Sequence, residues 1–167
     1  MRQNRTRALA TIVLTGLAAL LAHPAAAQIK TGDPFPDFAS FQLQGKMPAI
    51  QGKVVLVDFW ASWCGPCKKS FPVMNGLQKK YGDRIVIVAV NVDETQAGMQ
   101  SFLEKVPVEF AVLWDAKQSL VNKVDVHTMP SSFLLDRSGK VRFAHSGFHG
   151  AETQRQYETE IESLLKE

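Results

Sequence analysis

Residues 57–72 read VDFWASWCGPCKKSFP and hold both cysteines of the 167-residue chain, Cys64 and Cys67, with Gly65 and Pro66 between them. Just upstream, residues 53–61 (KVVLVDFWA) form an almost unbroken run of β-branched and aromatic side chains, the pattern of a strand covered on both faces. From Cys64 onward, CGPCKKSFPVMNGLQKKYGD predicts a helix that starts at or just after that cysteine and contains Pro72. A cysteine pair is therefore expected where a buried strand hands over to a helix.

Three chemistries compete for such a pair. As a staple it closes a very small loop, which in the chain-entropy account stabilises by only about 2 kcal/mol, against about 4.7 for a loop of 100 residues. A zinc clip needs four ligands, and the chain has no second cysteine pair, while His127, His145 and His149 have no spacing that completes a set. No metal is expected. The redox alternative has a mechanism: a thiolate at a helix start meets unsatisfied backbone N–H groups and the positive end of the helix dipole. The pKa of Cys64 is then expected to fall below the free value of about 8.5, toward about 7. Cys67, one turn inside the helix, is the shielded thiol that resolves a mixed disulfide. Pro66 stands where an N–H would be idle, and Gly65 leaves the approach to Cys64 open.

Outward from this centre the chain alternates. Residues 84–93 (RIVIVAVNVD) read as a second buried strand, and 95–106 as a helix with Met99, Phe102, Leu103 and Val106 on one stripe and Thr95 at its start. A short strand near residues 109–114 and a helix over about 116–124 follow. Residues 131–147 (SSFLLDRSGKVRFAHSG) read as a hairpin turning at Ser138 and Gly139. The last helix carries Tyr157, Ile161, Leu164 and Leu165 on one face. The Pro- and Gly-rich segment 28–50 is expected to be a lead-in with a short hairpin. Together these give one α/β domain over 28–167, with a mixed central sheet and helices on both faces. Trp114 and the phenylalanine of SFLLD, Phe133, are read as core, and His145 and His149 as solvated loop residues.

The first 27 residues have the three parts of a secretory signal: MRQNRTR with three arginines, the 15-residue apolar run ALATIVLTGLAALLA, and AAA before Gln28. Cleavage is expected between Ala27 and Gln28, the alternative being an uncleaved membrane anchor. Loss of Arg2, Arg5 and Arg7 turns 19 basic and 16 acidic residues into 16 of each. No basic surface then remains for a nucleic-acid partner.

The stretch VDFWASWCGPC resembles the active site of thioredoxins, including Trp60, Trp63 and Asp58. The resemblance implies a thioredoxin fold in which Asp58 lies beneath Cys67 as its general base. HTMPSSFLLDRSGKV resembles the family's proline loop, which implies a cis bond between Met129 and Pro130. Pro130 would then stack beside Cys64, and the Met129 backbone would hold an extended client segment. The longer segment 95–124, the leader and the lead-in DPFPDFASF are similar to the TlpA and ResA group of exported thioredoxin-like reductases, so an inserted helix and strand of that type are expected. Two positions depart from those relatives: Ala89 stands where thioredoxins place a lysine beside the buried acid, and Ser70 where ResA-type proteins have an acid.

What the resemblance implies is a periplasmic protein-disulfide reductase with no cofactor beyond its own Cys64–Cys67 pair. Its clients would be exported proteins with disulfides, its electron donor a membrane protein of the DsbD or CcdA kind, and its state a monomer. A thioredoxin-like oxidase or isomerase is one alternative. A chaperone or metal-delivery module without turnover is another.

Overall fold

In a computed structural model, which describes residues 28–167, the apolar run is strand β1 (Val54–Trp60), buried from end to end. The chain continues as α1 (Gly65–Tyr81), β2 (Ile85–Asn91), α2 (Gln96–Lys105), β3 (Ala111–Trp114), α3 (Ser119–Val124), β4 (Ser131–Leu135), β5 (Val141–Ser146) and α4 (Ala151–Leu165). The leader at 1–27 lies outside the described residues. The five strands form one sheet in the order β3-β2-β1-β4-β5, with β1 central. β1 runs parallel to β2 and antiparallel to β4, so the sheet is mixed.

Alternation along β1 sorts the core into two layers. Asp58 and Trp60 share a face, on which the Trp60 ring lies 4.7 Å from both Phe71 of α1 and Phe102 of α2. Ser132 of β4 pairs with Asp58 on that face and bonds to Tyr157 of α4, so three helices cover it. On the other face Phe59 meets Phe133, which meets Phe35 of the lead-in, itself stacked on Phe38. The inserted α2 and β3 thus supply an aromatic roof over Trp60 and a further parallel strand at the sheet edge.

The lead-in is not a hairpin. Its one helical turn, Phe38–Ser40, is capped by Asp37, and Gly32, Asp33, Phe35 and Gln44 pair with remote parts of the chain. At one edge of the sheet Gly32 donates to Val141 (2.7 Å), Val141 to Asp33 (2.9 Å) and Phe35 to Gly139 (2.9 Å). At the other edge Gln44 and Trp114 exchange both backbone bonds, at 3.0 and 2.8 Å. Gly45 follows at φ +125°, and a Cβ there would come within 2.6 Å of the Val112 carbonyl oxygen. Pro34 and Pro36 interrupt any local ladder, which leaves the segment to be used as a strap.

Helix α3 starts at Ser119, later than its composition predicts, because Asp115 anchors it. The buried Asp115 carboxylate accepts from the backbone N–H groups of Ser119, Leu120 and Val121, each at 2.9 Å, while Gln118 turns at φ 52°. Asp115→Ala strands those donors and is expected to lower the unfolding free energy by about 3 kcal/mol. Denaturant titration at an unchanged m-value is the check. Thr95 occupies the cap position of α2 but makes no side-chain cap bond.

Candidate active site

At the end of β1 the chain must turn into α1, and a buried carboxylate from just beyond β2 holds that turn. The Ser62 N–H lies 3.0 and 3.1 Å from the two carboxylate oxygens of Asp93, which also receive the Asn91 side-chain amide at 3.1 Å. Asp93 in turn accepts Trp114 Nε1 on its carbonyl at 2.8 Å. Reading the sequence left Asn91 and Asp93 inside a strand pattern without a role. No short-range signal connects them to Ser62, some thirty positions earlier.

Cys64 is the N-cap of α1, and its Sγ accepts the Cys67 N–H at 3.1 Å. The two sulfurs are bonded to each other at 2.05 Å. Gly65 and Pro66 occupy the first two helical positions, and a Cβ on Gly65 would meet nothing within 4 Å. Both cysteines are buried, Cys67 completely. Trp63, immediately before Cys64, is 73 % exposed. It lines a cleft of about 540 Å³ together with Met129, Asp93, Thr95 and Gln118.

Met129 and Pro130 are joined by a cis peptide bond, Pro130 buried and Met129 half-buried. The Pro130 carbonyl accepts from Gly147 at 2.7 Å, and Ser131 Oγ donates to Thr128 at 2.7 Å, so both sides of the loop are tied to the fold.

Asp58 has no exposed surface, and neither carboxylate oxygen has a hydrogen-bond partner among the described residues. Burial raises its pKa well above the ordinary carboxylate value. Ala89 is its direct partner on β2 and Ser132 its partner on β4. The position of the absent lysine is therefore filled by a methyl group. Ser70, also buried, donates its hydroxyl to the Cys67 carbonyl at 3.1 Å. Trp60 Nε1 is buried without a partner among the described residues.

The histidines stay apart from this site. His127 is exposed and lies 3.1 Å from Asp125. His145, expected in a solvated loop, is instead part of β5, largely shielded and bonded to Glu160 at 2.7 Å. No group of three or more metal-ligating side chains occurs among the described residues.

A mixed sheet with a disulfide-bonded CGPC pair at the mouth of the helix after its central strand defines a thioredoxin-like thiol-disulfide oxidoreductase. The chain belongs to the Redoxin family, which it matches over residues 30–161. It is 35% identical over 118 residues to the thiol-disulfide oxidoreductase ResA of Bacillus anthracis, covering 68% of each chain. With ResA of Geobacillus thermodenitrificans it shares 30% identity over 168 residues, covering 94% of this chain and 97% of that one. Among solved structures it is similar to a Chlorobium tepidum protein assigned as thiol:disulfide interchange protein DsbE. The TM-score is 0.76 at 42% identity, over 83% of this chain and 99% of the other.

Proposed function

We propose that this oxidoreductase works as an exported disulfide reductase. The Cys64 thiolate attacks one sulfur of a client disulfide, forming a Cys64–client bond and expelling the other client sulfur as a thiolate. Cys67 gives its proton to Asp58 and attacks Cys64 Sγ, which releases the second client thiolate and leaves the Cys64–Cys67 disulfide. Two electrons have passed to the client. The bonded pair is the form that awaits a donor, and in an oxidising compartment that donor would be a membrane protein of the DsbD or CcdA kind.

The observation that carries this reading is the hydrogen bond from the Cys67 N–H to Cys64 Sγ at the start of α1. One backbone donor and a helix end support a moderately stabilised thiolate, the condition of a reductant, whereas a strong oxidant needs a far more stable one. Trp63 and Met129, which line one cleft, favour an extended client segment laid across the pair. In this reading Pro130 stacks beside Cys64 and Trp60 shapes the turn. No cofactor takes part. In this reading residues 1–27 direct export and are removed between Ala27 and Gln28, and the mature domain over 28–167 acts as a monomer. Among the described residues no helix is long and apolar enough to cross a membrane.

The test is the equilibrium reduction potential of the pair in mature protein, titrated against dithiothreitol and glutathione buffers. A value near or below about −240 mV is expected, and one above about −180 mV would reverse the proposed direction and make the protein an oxidase or isomerase.

A further inference from the structure

Beside the cleft that holds Trp63 and Met129 lies a smaller hollow of opposite character. It has a volume of about 330 Å³ and is lined by Lys68 of α1 and by Ser101, Phe102 and Lys105 of α2. Lys68 follows Cys64 by one helical turn, and Lys105 stands in the last turn of α2, both exposed. No carboxylate lines this hollow. Among the described residues neither lysine is in an ion pair, whereas Lys80, farther along α1, is held by Glu158 and Glu162. The first turn of α1 contains no acid either, so the positive end of that helix adds to the two cations.

The larger cleft has the reverse balance, with Asp93 and Glu94 in its lining and no cation. Ser62 and Gly98 line both, which makes them the partition. Gly98 keeps that partition thin: a Cβ there would lie 3.1 Å from Ser62 Oγ and 3.5 Å from Asp93 Oδ2. A chain laid across Cys64 thus meets carboxylates on one side of Ser62 and lysines on the other.

We propose that the hollow between Lys68 and Lys105 receives an acidic side chain of the client, carried near the cysteine that Cys64 attacks, and that these two lysines are specificity-determining residues. The occupant is a segment of an exported polypeptide. A group held one helical turn from Cys64 while that sulfur is bonded to a client belongs to the client's own chain, and the hollow has room for a side chain and not for a folded domain. Charge complementarity sets its sign. The carboxylates of the larger cleft repel the same side chain, so the two surfaces together fix which way the segment lies. The preference is local, since residues 28–167 carry 16 basic and 16 acidic residues and present no net attraction to an acidic client. Both lysines are exposed, so each pairing is modest, and its effect falls on encounter and on salt dependence.

The hollow matters to function only if the pair reduces clients, the reading proposed above, and the experiment separates the two. Reduced mature protein is given single-disulfide peptides that differ at one position near a cysteine, which is Glu, Gln or Lys, and kcat/KM is measured for each with the position moved along the peptide. At the best position the Glu peptide is expected to react about fivefold faster than the Gln peptide, and the Lys peptide more slowly than either. The preference should fade as salt rises to about 0.5 M. Lys68→Gln and Lys105→Gln should each bring the Glu-to-Gln ratio toward one, and the double variant Lys68→Glu, Lys105→Glu should reverse the order. Any effect of Lys68 on the Cys64 sulfur is common to all the peptides and cancels in that ratio. Lys79→Gln, at the far end of α1, makes the same change in net charge and should leave the ratio as it is. Equal rates for Glu, Gln and Lys peptides at every position overturn the proposal while upholding the reductase, as does a preference that survives both lysine substitutions or that Lys79→Gln abolishes equally. Failure to reduce any peptide overturns the reductase reading and the specificity with it.

Discussion

Cys67→Ser protein, reduced and mixed with a disulfide-bearing client, is expected to accumulate a covalent adduct through Cys64 and to complete no turnover. The bond that stabilises Cys64 Sγ comes from the backbone N–H of residue 67, so replacing that side chain spares the nucleophile and removes only the thiol that would release the client. Cys64→Ser removes the nucleophile itself, and client reduction should fall to the uncatalysed rate with no adduct. The two variants are compared by non-reducing electrophoresis and intact mass, together with a reduction assay. Equal client retention by wild type and Cys64→Ser, with no adduct from Cys67→Ser, would instead define a holdase that uses its cleft without chemistry.

A second large effect concerns Asp58. Burial raises its pKa in the folded protein, while in the unfolded chain it titrates near the ordinary value of about 3.9. Below that value both states hold the proton and no stability difference arises. Above it the unfolded chain gives up the proton first, and the folded state binds more. Stability of the oxidised protein therefore falls as pH rises, by up to about 1.4 kcal/mol per pH unit, until the raised folded value is passed. Asp58→Asn should remove that slope and make the oxidised protein more stable at neutral and alkaline pH, while slowing resolution by Cys67 about a hundredfold. Denaturant midpoints of both proteins across that range test the stability half. Parallel curves for the two would sink it.

The redox pair, the buried strands and the burial of Asp58 were legible because each is written in adjacent residues. Seven consecutive buried positions of β1 appear as an apolar run, and the helix start is marked by Cys64, Gly65 and Pro66 in order. The Redoxin match and the ResA relatives agree with the thioredoxin-like reading of VDFWASWCGPC. What escaped lies in pairings between distant residues. Asp93 holding Ser62, Asp115 delaying the start of α3, and Ser132 bonded to Tyr157 are polar contacts that no periodicity reveals. His145 was misread for the same reason: its partner Glu160 sits on the last helix, and nothing in the hairpin announces it. The lead-in was expected to fold on itself because Pro and Gly mark turns locally, but its hydrogen-bond partners lie at both edges of the sheet.

That strap also constrains the order in which the molecule can be built. Its first residues pair with the strand that opens near Val141, which is made almost last, so the segment made first has nothing to dock on until the β4–β5 hairpin is in place. Contacts between such distant parts of the chain form slowly, because the loop they close must be ordered before they reward it. Until then both outer strands offer unpaired backbone to any neighbouring chain. Clumping during refolding should accordingly be governed by the arrival of residues 32–45, a stretch far from the chemistry and joined to it only through the sheet.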